Sequence, residues 1–417
     1  YNDTMKELHF PEDAIKLIEF IEKQGFETYL VGGTIRDALL GLNTKDYDFA
    51  TAATPRDLEE IFSGFRVDTT GLKHGTIRVI TTEENYEITT FRNDGDYLDH
   101  RRPEAVTFVS SLEEDIKRRD FTINALAYHP KKGVIDLVGG IEDIEKKSLR
   151  AVGEASLRFE EDALRILRGI RLASTLDLEV EEKTKKAMIS KRDLLFLISK
   201  ERIYHELKGI LSANHFGEQL ETFRLVFQEI LPELQDHPYF DEVIKASEFT
   251  PNDPSLRLAL LFASFSNDLK YNDQRLRKSL SRLKADNKTT LEASRLIGYF
   301  HESLKPTKEN VATHLHQMGK EMLLKLIDLR DAFNQGLALE EEHQELLDFY
   351  ALLHASLDEG LIYETHRLAI GGNDLLALGF PQNASIKMCL DVLLEEVMHG
   401  SLKNQKEPLL ARAKELL

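Results

Sequence analysis

The spacing of apolar residues changes near residue 150, and this change limits the choice of fold more than any other feature. Before it, short β-rich runs such as Thr28–Val31 alternate with helical stretches, whereas from about Glu154 onward apolar residues recur at helical spacing. A chain of 417 residues is too long for one compact core, so two or more domains are expected. The pattern predicts an α+β protein, in which a head containing strands precedes an all-helical remainder.

Composition and charge limit the cellular compartments and the classes of binding partner that fit this chain. No run of about 18 apolar residues occurs, so no membrane span is predicted, and no basic-then-apolar leader is found at the start. Cys389 is the single cysteine, so the chain has no disulfide partner, which favours the cytoplasm. The net charge of −18 argues against a nucleic-acid partner. However, arginines crowd between Arg150 and Arg171, and a second basic cluster spans 275–288. If RNA binds, it therefore binds locally, and the alternative for either cluster is a solvated helix face.

Two glycines and two aspartates stand close together in segment Val31–Thr51, VGGTIRDALLGLNTKDYDFAT. Gly32 and Gly33 fall between a predicted strand and a predicted helix, where missing Cβ atoms let a phosphate reach backbone N–H groups. Asp46 and Asp48 are predicted to lie in a strand, so both carboxylates point to one face. They repel each other unless a cation lies between them, and oxygen ligands of this kind suit Mg²⁺. The segment predicts a phosphate and metal site; the alternative for the aspartates is an exposed strand edge.

Several further segments resemble those of one enzyme family. Together with Val31–Thr51, they resemble class II tRNA nucleotidyltransferases, the CCA-adding enzymes of the polymerase-β-like nucleotidyltransferase superfamily. The resemblance implies a small mixed β-sheet in a catalytic head, followed by an all-helical neck, body and tail that grip the upper half of tRNA. The implied boundaries are 1–150 for the head, 151–215 for the neck, 216–305 for the body and 306–417 for the tail. The other segments are RRDFTINALAY (118–128), DLVGG (136–140), EDALRILRGIR (161–171), SKERIYHEL (199–207) and, more weakly, GGNDLLALGF (371–380).

The resemblance also implies roles for individual residues of the head. The two aspartates would be catalytic residues that bind the metals. Gly33 and Arg36 would contact the triphosphate, although Arg36 could instead pair with Asp37. Arg119 would hold the sugar or a phosphate of the nucleotide. Glu87 stands where the superfamily often supplies a third catalytic carboxylate, and its alternative is an exposed strand glutamate.

The family's nucleotide-selecting motif falls on EDALR. Asp162 and Arg165 are three residues apart on a predicted helix, so they are expected to be neighbours on its surface. An acceptor beside a donor matches the edges of cytosine and adenine but not those of uracil and guanine. Each step of three rotates a position by roughly −60°, so Arg168 is expected near the nucleotide and Arg171 is expected to brace the site or touch RNA. The resemblance places both arginines in the nucleotide site; the alternative for the first pair is a surface ion pair.

These observations predict template-independent addition of CCA to tRNA 3′ ends, using CTP and ATP and releasing pyrophosphate. The long polar loop at 92–105 resembles the family's flexible loop and favours complete CCA addition. Three alternatives stay open. A partial enzyme would add CC alone or A alone, a bacterial poly(A) polymerase shares the head, and a non-catalytic tRNA-binding protein would have lost the activity.

Overall fold

The computed structural model describes residues 8–80, 84–94, 106–109, 111–264 and 269–417. These residues form two compact units. The first contains the described residues up to Gln235 together with Arg282–Lys284, and the second contains Asp236–Ser281 and Ala285–Leu417.

Strands and helices are mixed in the first unit. Its strands are β1 Thr28–Val31, β2 Asp46–Thr51, β3 Val67–Asp68, β4 Thr76–Ile80, β5 Asn85–Thr90, β6 Arg92–Asp94, β7 Val106–Phe108, β8 Leu126–His129, β9 Gly133–Asp136, β10 Ser148–Leu149 and β11 Glu179–Val180. Its helices are α1 Glu12–Lys23, α2 Gly33–Leu39, α3 Pro55–Ile61, α4 Leu112–Lys117, α5 Gly140–Glu145, α6 Ala155–Glu161, α7 Leu164–Leu176, α8 Glu182–Ser190, α9 Lys200–Leu211, α10 Phe216–Thr222 and α11 Arg224–Ile230.

Seven of the strands form one mixed sheet in the order β3-β4-β5-β2-β1-β8-β9. Strands β2 and β5 are parallel, whereas the other neighbouring pairs in this sheet are antiparallel. Tyr47 and Phe49 point to one face of β2, into a core that includes Leu30 and Ile88. Ala50 points to the other face, where a second core packs against α4. Because side chains alternate along a strand, Asp46 and Asp48 lie on the same face as Ala50.

One short strand interrupts the predicted helical remainder. Strand β11 pairs in parallel with β10, Ser148 opposite Glu179 and Leu149 opposite Val180. Two residues are too few for a hydrophobic period, which is why the sequence pattern gave no sign of this strand. The predicted fold class, an α+β head followed by a helical remainder, is confirmed.

The second unit is helical in the part of the chain that the structure describes. A core cluster near its end contains Leu375, Leu393, Leu409 and the buried Cys389. Among the described residues, no helix combines the length and the apolar character needed to cross a membrane. The helices after Gln235 are α12 Phe240–Ser247, α13 Pro254–Phe262, α14 Leu269–Arg282, α15 Asn287–Tyr299, α16 Lys308–Met318, α17 Lys320–Gly336, α18 Glu340–Asp358, α19 Gly372–Leu378, α20 Ala384–Met398 and α21 Lys406–Leu416.

Candidate active site

A cavity of about 390 Å³ lies in the first unit, and we call it the head cavity. Seven of the predicted site residues line it, together with neighbours from the turn between β1 and α2, from the segment after α4 and from α7. Asp46, Glu87 and Asp162 are not among the lining residues. The lining residues are Gly32, Gly33, Arg36, Asp48, Arg118, Arg119, Asp120, Asn124, Arg165, Arg168, Arg171, Leu172, Thr175 and Leu176.

The turn between β1 and α2 forms one wall of the head cavity. Gly32 has φ 79°, in the left-handed region that favours glycine. A Cβ built on Gly32 would lie 3.7 Å from an Arg119 guanidinium nitrogen and 3.9 Å from Asp48 Oδ2. At Gly33 a Cβ would lie 3.1 Å from the guanidinium of Arg36. The two glycines therefore let charged groups of both signs come close to the backbone of this turn.

Strands β2 and β5 bring three carboxylates to one face of the sheet. Asp48 is directly opposite Glu87 and Asp46 is opposite Asn85. The Asn85 amide donates a hydrogen bond to Asp46 Oδ1 at 2.9 Å. Glu87 accepts from Arg78 Nε at 3.0 Å, so it already has a cation on the neighbouring strand. Asp46 and Glu87 therefore lie beside Asp48, and Asp48 alone of the three reaches the cavity wall.

The electrostatic environment of Asp48 fits a bound cation. Although its side chain is open to the cavity, the surrounding protein displaces water, and this burial is the main reason that its pKa is raised. Repulsion from Glu87 and Asp46 adds to the effect and Arg119 opposes it, so the pKa of Asp48 lies at about 6. Crowded carboxylates repel each other, and a hard divalent ion relieves that repulsion through the oxygen ligands it prefers. The donor set therefore fits a divalent metal.

A second group of metal-ligand types lies elsewhere in the first unit. Asp177, His215 and Glu218 place one ligand atom each within 4.8 Å of one another. None of the three lines the head cavity, and the Lys147 ammonium is 3.7 Å from Asp177. A lysine at that distance competes with a cation for the carboxylate, so the face of β2 is the stronger candidate for the metal.

The segment after α4 holds two arginines against one buried carboxylate. Asp115 is 1% exposed, and it accepts hydrogen bonds from Arg119 at 3.0 Å and from Arg118 Nε at 3.3 Å. Burial alone would raise the pKa of Asp115, but both arginines and the backbone N–H of Arg92 hold it below its usual range. Asp115 is therefore ionised at neutral pH and fixes the arginines that line the cavity.

Polar contacts cross the floor of the head cavity from α2 to α7. Arg36 pairs with Asp37 at 2.9 Å and donates a second hydrogen bond to Asn124 Oδ1. Asn124 in turn donates to Asp120 Oδ1 at 3.3 Å, and Arg168 pairs with Asp120 Oδ2 at 2.9 Å. Buried Asp120 would have a raised pKa, but Arg168 and Arg165 lower it. This network connects the predicted triphosphate contact with the predicted nucleotide-selecting helix.

The prediction that Asp162 and Arg165 lie on one helix is wrong, although the two side chains still interact electrostatically. Asp162 ends α6 in an extended conformation, with φ −148° and ψ 104°, and α7 begins only at Leu164. Its carboxylate accepts from the Leu164 N–H at 3.0 Å and lies 3.6 Å from Arg202. Arg165 is 6% exposed and pairs with Glu161 at 2.7 Å. The helix breaks because the Asp162 side chain caps the following turn, so the two side chains have different partners.

Arg165 and Arg171 are both held by partners within the first unit. The Arg165 guanidinium also donates to the Arg118 carbonyl at 2.9 Å. Arg171 pairs with the buried Glu206 of α9 at 2.8 Å, and a Cβ on Gly209 would lie 2.5 Å from Arg171 Cδ. Arg171 thus pairs with α9 and also lines the cavity, while its role in bracing the site or in touching RNA stays a prediction.

Sequence reasoning missed the residues that hold the arginines in place. Asp115, Asp120, Asn124 and Glu206 were not assigned, although each contacts a predicted site arginine. For Asp115 a signal existed, because it stands four residues before Arg119, a spacing typical of helical ion pairs. The others are separated from their partners by dozens of residues, so spacing gave no indication. Residues 95–105 of the predicted flexible loop lie outside the described residues, and β6 and β7 pair at its two ends.

Comparison with protein families divides the chain into three matched parts. Residues 28–150 match the Poly A polymerase head domain, and residues 258–413 match tRNA nucleotidyltransferase domain 2. Between them, residues 177–237 match a family described as "Probable RNA and SrmB-binding site of polymerase A". The head match therefore covers both the glycine turn and the acidic strand.

Full-length relatives carry the assignment further. The chain is 34% identical over 419 residues to the CCA-adding enzyme of Streptococcus thermophilus, covering 98% of each, and 36% identical over 409 residues to that of Enterococcus faecalis, covering 97% and 95%. The crystal structure of the Bacillus stearothermophilus CCA-adding enzyme in complex with CTP is 31% identical, covers 99% of this chain and 98% of its own, and has a TM-score of 0.73. The Thermotoga maritima CCA-adding enzyme complexed with tRNA shares the fold at 19% identity, with 98% and 96% coverage and a TM-score of 0.69. The chain belongs to the CCA-adding enzymes, the class II tRNA nucleotidyltransferases.

Proposed function

We propose that this protein adds CCA to the 3′ ends of tRNA without a nucleic-acid template, using CTP and ATP and releasing pyrophosphate. One observation carries the proposal: the acidic strand, the glycine turn and the arginines of α7 meet at a single cavity. Anionic triphosphate needs cations and open backbone N–H groups, whereas phosphoryl transfer needs carboxylates for metal ions. The membership in the CCA-adding enzymes supports the same activity.

The reaction is an in-line attack of the terminal ribose hydroxyl on the α-phosphate of the incoming nucleotide. We propose Asp46 and Asp48 as the catalytic residues that hold Mg²⁺, with Glu87 as a third catalytic carboxylate that acts beside Asp48. Bound there, Mg²⁺ supplies charge stabilisation at the phosphate and makes the hydroxyl a better nucleophile. The support for the metal is the crowding of carboxylates that raises the pKa of Asp48.

We propose that the remaining predicted residues bind the nucleotide. Gly33 and Arg36 contact the triphosphate, and Arg119 holds a phosphate or the sugar. The edge of the base is selected on the α6–α7 side of the cavity. The residues of that side are Asp162, Arg165, Arg168 and Arg171.

Base selection needs a rearrangement if Asp162 and Arg165 act together. Arg165 donates to Glu161 and to the carbonyls of Arg118 and Arg158, whereas Asp162 accepts from the Leu164 N–H at the start of α7. We propose that nucleotide binding turns the Asp162 carboxylate toward the cytosine or adenine amino group, while Arg165 donates to the adjacent ring acceptor. The measurable consequence is rejection of UTP and GTP.

The helical remainder is proposed to hold the tRNA. We propose a head at 1–150, a neck at 151–215, a body at 216–305 and a tail at 306–417, with the upper half of tRNA bound by the last three. A cytoplasmic location is part of this proposal, and the burial of the lone Cys389 is in keeping with a reducing compartment.

A nucleotide-incorporation assay tests the function. tRNA lacking CCA is incubated with CTP, with ATP, and with both, and the added nucleotides are sequenced. We expect two cytidines with CTP alone, no addition with ATP alone, and CCA with both. Arrest at CC, addition of A to CC-ended tRNA alone, or long adenosine tails would instead indicate the partial enzymes or a poly(A) polymerase.

An active-site variant tests whether the head performs this reaction. Asp46→Ala removes one proposed metal ligand, so we expect incorporation to be lost while tRNA binding remains. Incorporation at the wild-type rate in this variant would contradict the assignment of the acidic strand.

A further inference from the structure

Asp115 lies behind the wall of the head cavity and does not line it. Its carboxylate is 1% exposed and accepts three hydrogen bonds. They come from the Arg119 guanidinium at 3.0 Å, from the Arg92 backbone N–H at 3.1 Å and from Arg118 Nε at 3.3 Å. A buried carboxylate with these partners cannot touch a nucleotide in the cavity, so any effect on the reaction must pass through the arginines.

Arg119 connects Asp115 with the phosphate-binding turn. One terminal nitrogen of its guanidinium contacts Asp115. The other terminal nitrogen faces the turn, since it lies 3.7 Å from the position of a Cβ on Gly32. Asp48 Oδ2 lies 3.9 Å from the same Cβ position. The guanidinium is planar and rigid, so fixing one nitrogen also fixes where the other points. Asp115 therefore sets the direction in which Arg119 meets the cavity.

Arg118 connects the same carboxylate with the nucleotide-selecting side. Its side chain is held by Asp115, and its carbonyl accepts a hydrogen bond from Arg165 at 2.9 Å. Arg165 is nearly buried, and its guanidinium also donates to Glu161 and to the Arg158 carbonyl. A shift of the Arg118 backbone would therefore disturb one of the hydrogen bonds that hold Arg165.

We propose that Asp115 is a positioning residue for both the triphosphate end and the base-selecting end of the nucleotide. This inference rests on the proposed function. Asp115 orients the Arg119 guanidinium toward the glycine turn. Through Arg118, whose carbonyl accepts a hydrogen bond from Arg165, it also helps to fix the position of Arg165. A role confined to stability would change the amount of folded enzyme but not its choice between nucleotides.

The test compares Asp115→Asn with Asp115→Glu in the full-length protein. The Asn variant removes the charge and directs an amide donor toward the arginines, and the Glu variant keeps the charge but moves the carboxylate by one methylene. The readout is the ratio of kcat/KM for CTP to kcat/KM for UTP on tRNA lacking CCA. This ratio does not depend on the fraction of protein that is folded.

Asp143→Asn is the matched control. Asp143 is also a buried carboxylate of the first unit, 7% exposed, and pairs with Arg150 at 3.0 Å. It does not line the head cavity. Its loss is expected to lower Tm while the CTP-to-UTP ratio remains within about twofold of wild type, since no cavity arginine loses its partner.

We expect the ratio to fall about tenfold in Asp115→Asn, the size expected for one lost charge-assisted hydrogen bond. In Asp115→Glu it should fall at least about threefold, because a small misplacement of a positioning group is costly. A wild-type ratio in either folded variant would overturn the inference. If the wild-type protein itself adds no nucleotide, the proposed function fails instead, so the two failures are distinguishable.

A double-mutant cycle tests whether Asp115 acts through Arg119. Arg119→Lys supplies a point charge that cannot contact Asp115 and the turn together. If Asp115 acts through Arg119, Asp115→Asn should raise the KM for CTP about threefold or more in the wild-type background and little in the Arg119→Lys background. Equal effects in both backgrounds would overturn this half of the inference.

Discussion

Asp48 lies next to two other carboxylates, so negative charge is concentrated around it. Glu87 faces it from the parallel strand, Asp46 shares its own strand face, and its pKa is about 6. Above that pH the ionised carboxylate is repelled by its neighbours in the metal-free protein. The ionised carboxylate therefore lowers the stability of the folded protein, and the proposed metal ion would relieve this repulsion.

Asp48→Asn tests this cost directly. We expect the variant to have a higher Tm than wild type in EDTA at about pH 8, because one repelling charge is gone. Since the folded-state pKa is raised, the difference should vanish below about pH 4, where the wild-type carboxyl is also neutral. Adding Mg²⁺ should raise the Tm of wild type more than that of the variant. An equal Mg²⁺ response in both proteins would contradict the metal assignment.

Asp120 presents the opposite case, a buried carboxylate whose pKa is lowered by Arg168 and Arg165. Asp120→Asn should reduce the free energy of unfolding by about 1–3 kcal/mol near pH 7. A depressed folded-state pKa contributes stability above the unfolded value of about 4, and this contribution is lost as pH falls further. Urea denaturation at neutral pH and at about pH 3.5 should show the difference shrinking. A difference that grows on acidification would contradict this sign.

The packing of α7 against α9 determines the position of the Arg171 side chain. Gly209 lets Arg171 pass close to α9 on its way to Glu206. Gly209→Ala places a methyl group 2.5 Å from the present position of Arg171 Cδ, so the arginine must move. We expect the KM for CTP to rise about three- to tenfold, as for partial loss of one ionic contact.

Gly298→Ala is the matched control for this helix substitution. Gly298 also lies near the end of a helix, α15, and a Cβ there would meet no atom within 4 Å. Alanine is the better helix former, so this variant should gain up to about 1 kcal/mol in stability with an unchanged KM. A higher KM in both variants would show that the Gly209 effect is not local.

The elements of the head were predictable where local pattern determines them. The strand at Thr28–Val31, the turn at Gly32 and the common face of Asp46 and Asp48 all follow from alternation and from glycine chemistry over a few residues. The break at Asp162 was not predictable, because EDALRILRGIR has a continuous helical period and the capping contact interrupts it. The parallel pairing of β2 with β5 was beyond reach as well, since a parallel pair is set by long-range packing rather than by a turn.

The net charge of −18 affects how the whole molecule binds RNA. An acidic protein repels tRNA at long range, so binding must depend on local cations that displace counterions from phosphates. We expect the Kd for tRNA to weaken about tenfold or more between roughly 50 and 200 mM salt. Filter binding or fluorescence anisotropy at four salt concentrations would measure the slope, and a Kd independent of salt would contradict phosphate contacts.

Cys389 is the single thiol of the sequence, and it lies inside the helical core near the end of the chain. A maleimide dye reacts with exposed thiols far faster than with buried ones. A cysteine introduced at an exposed position would therefore carry the label almost alone, with no background mutation needed. Paired labels on the two units would then report by energy transfer whether their separation changes as successive nucleotides are added.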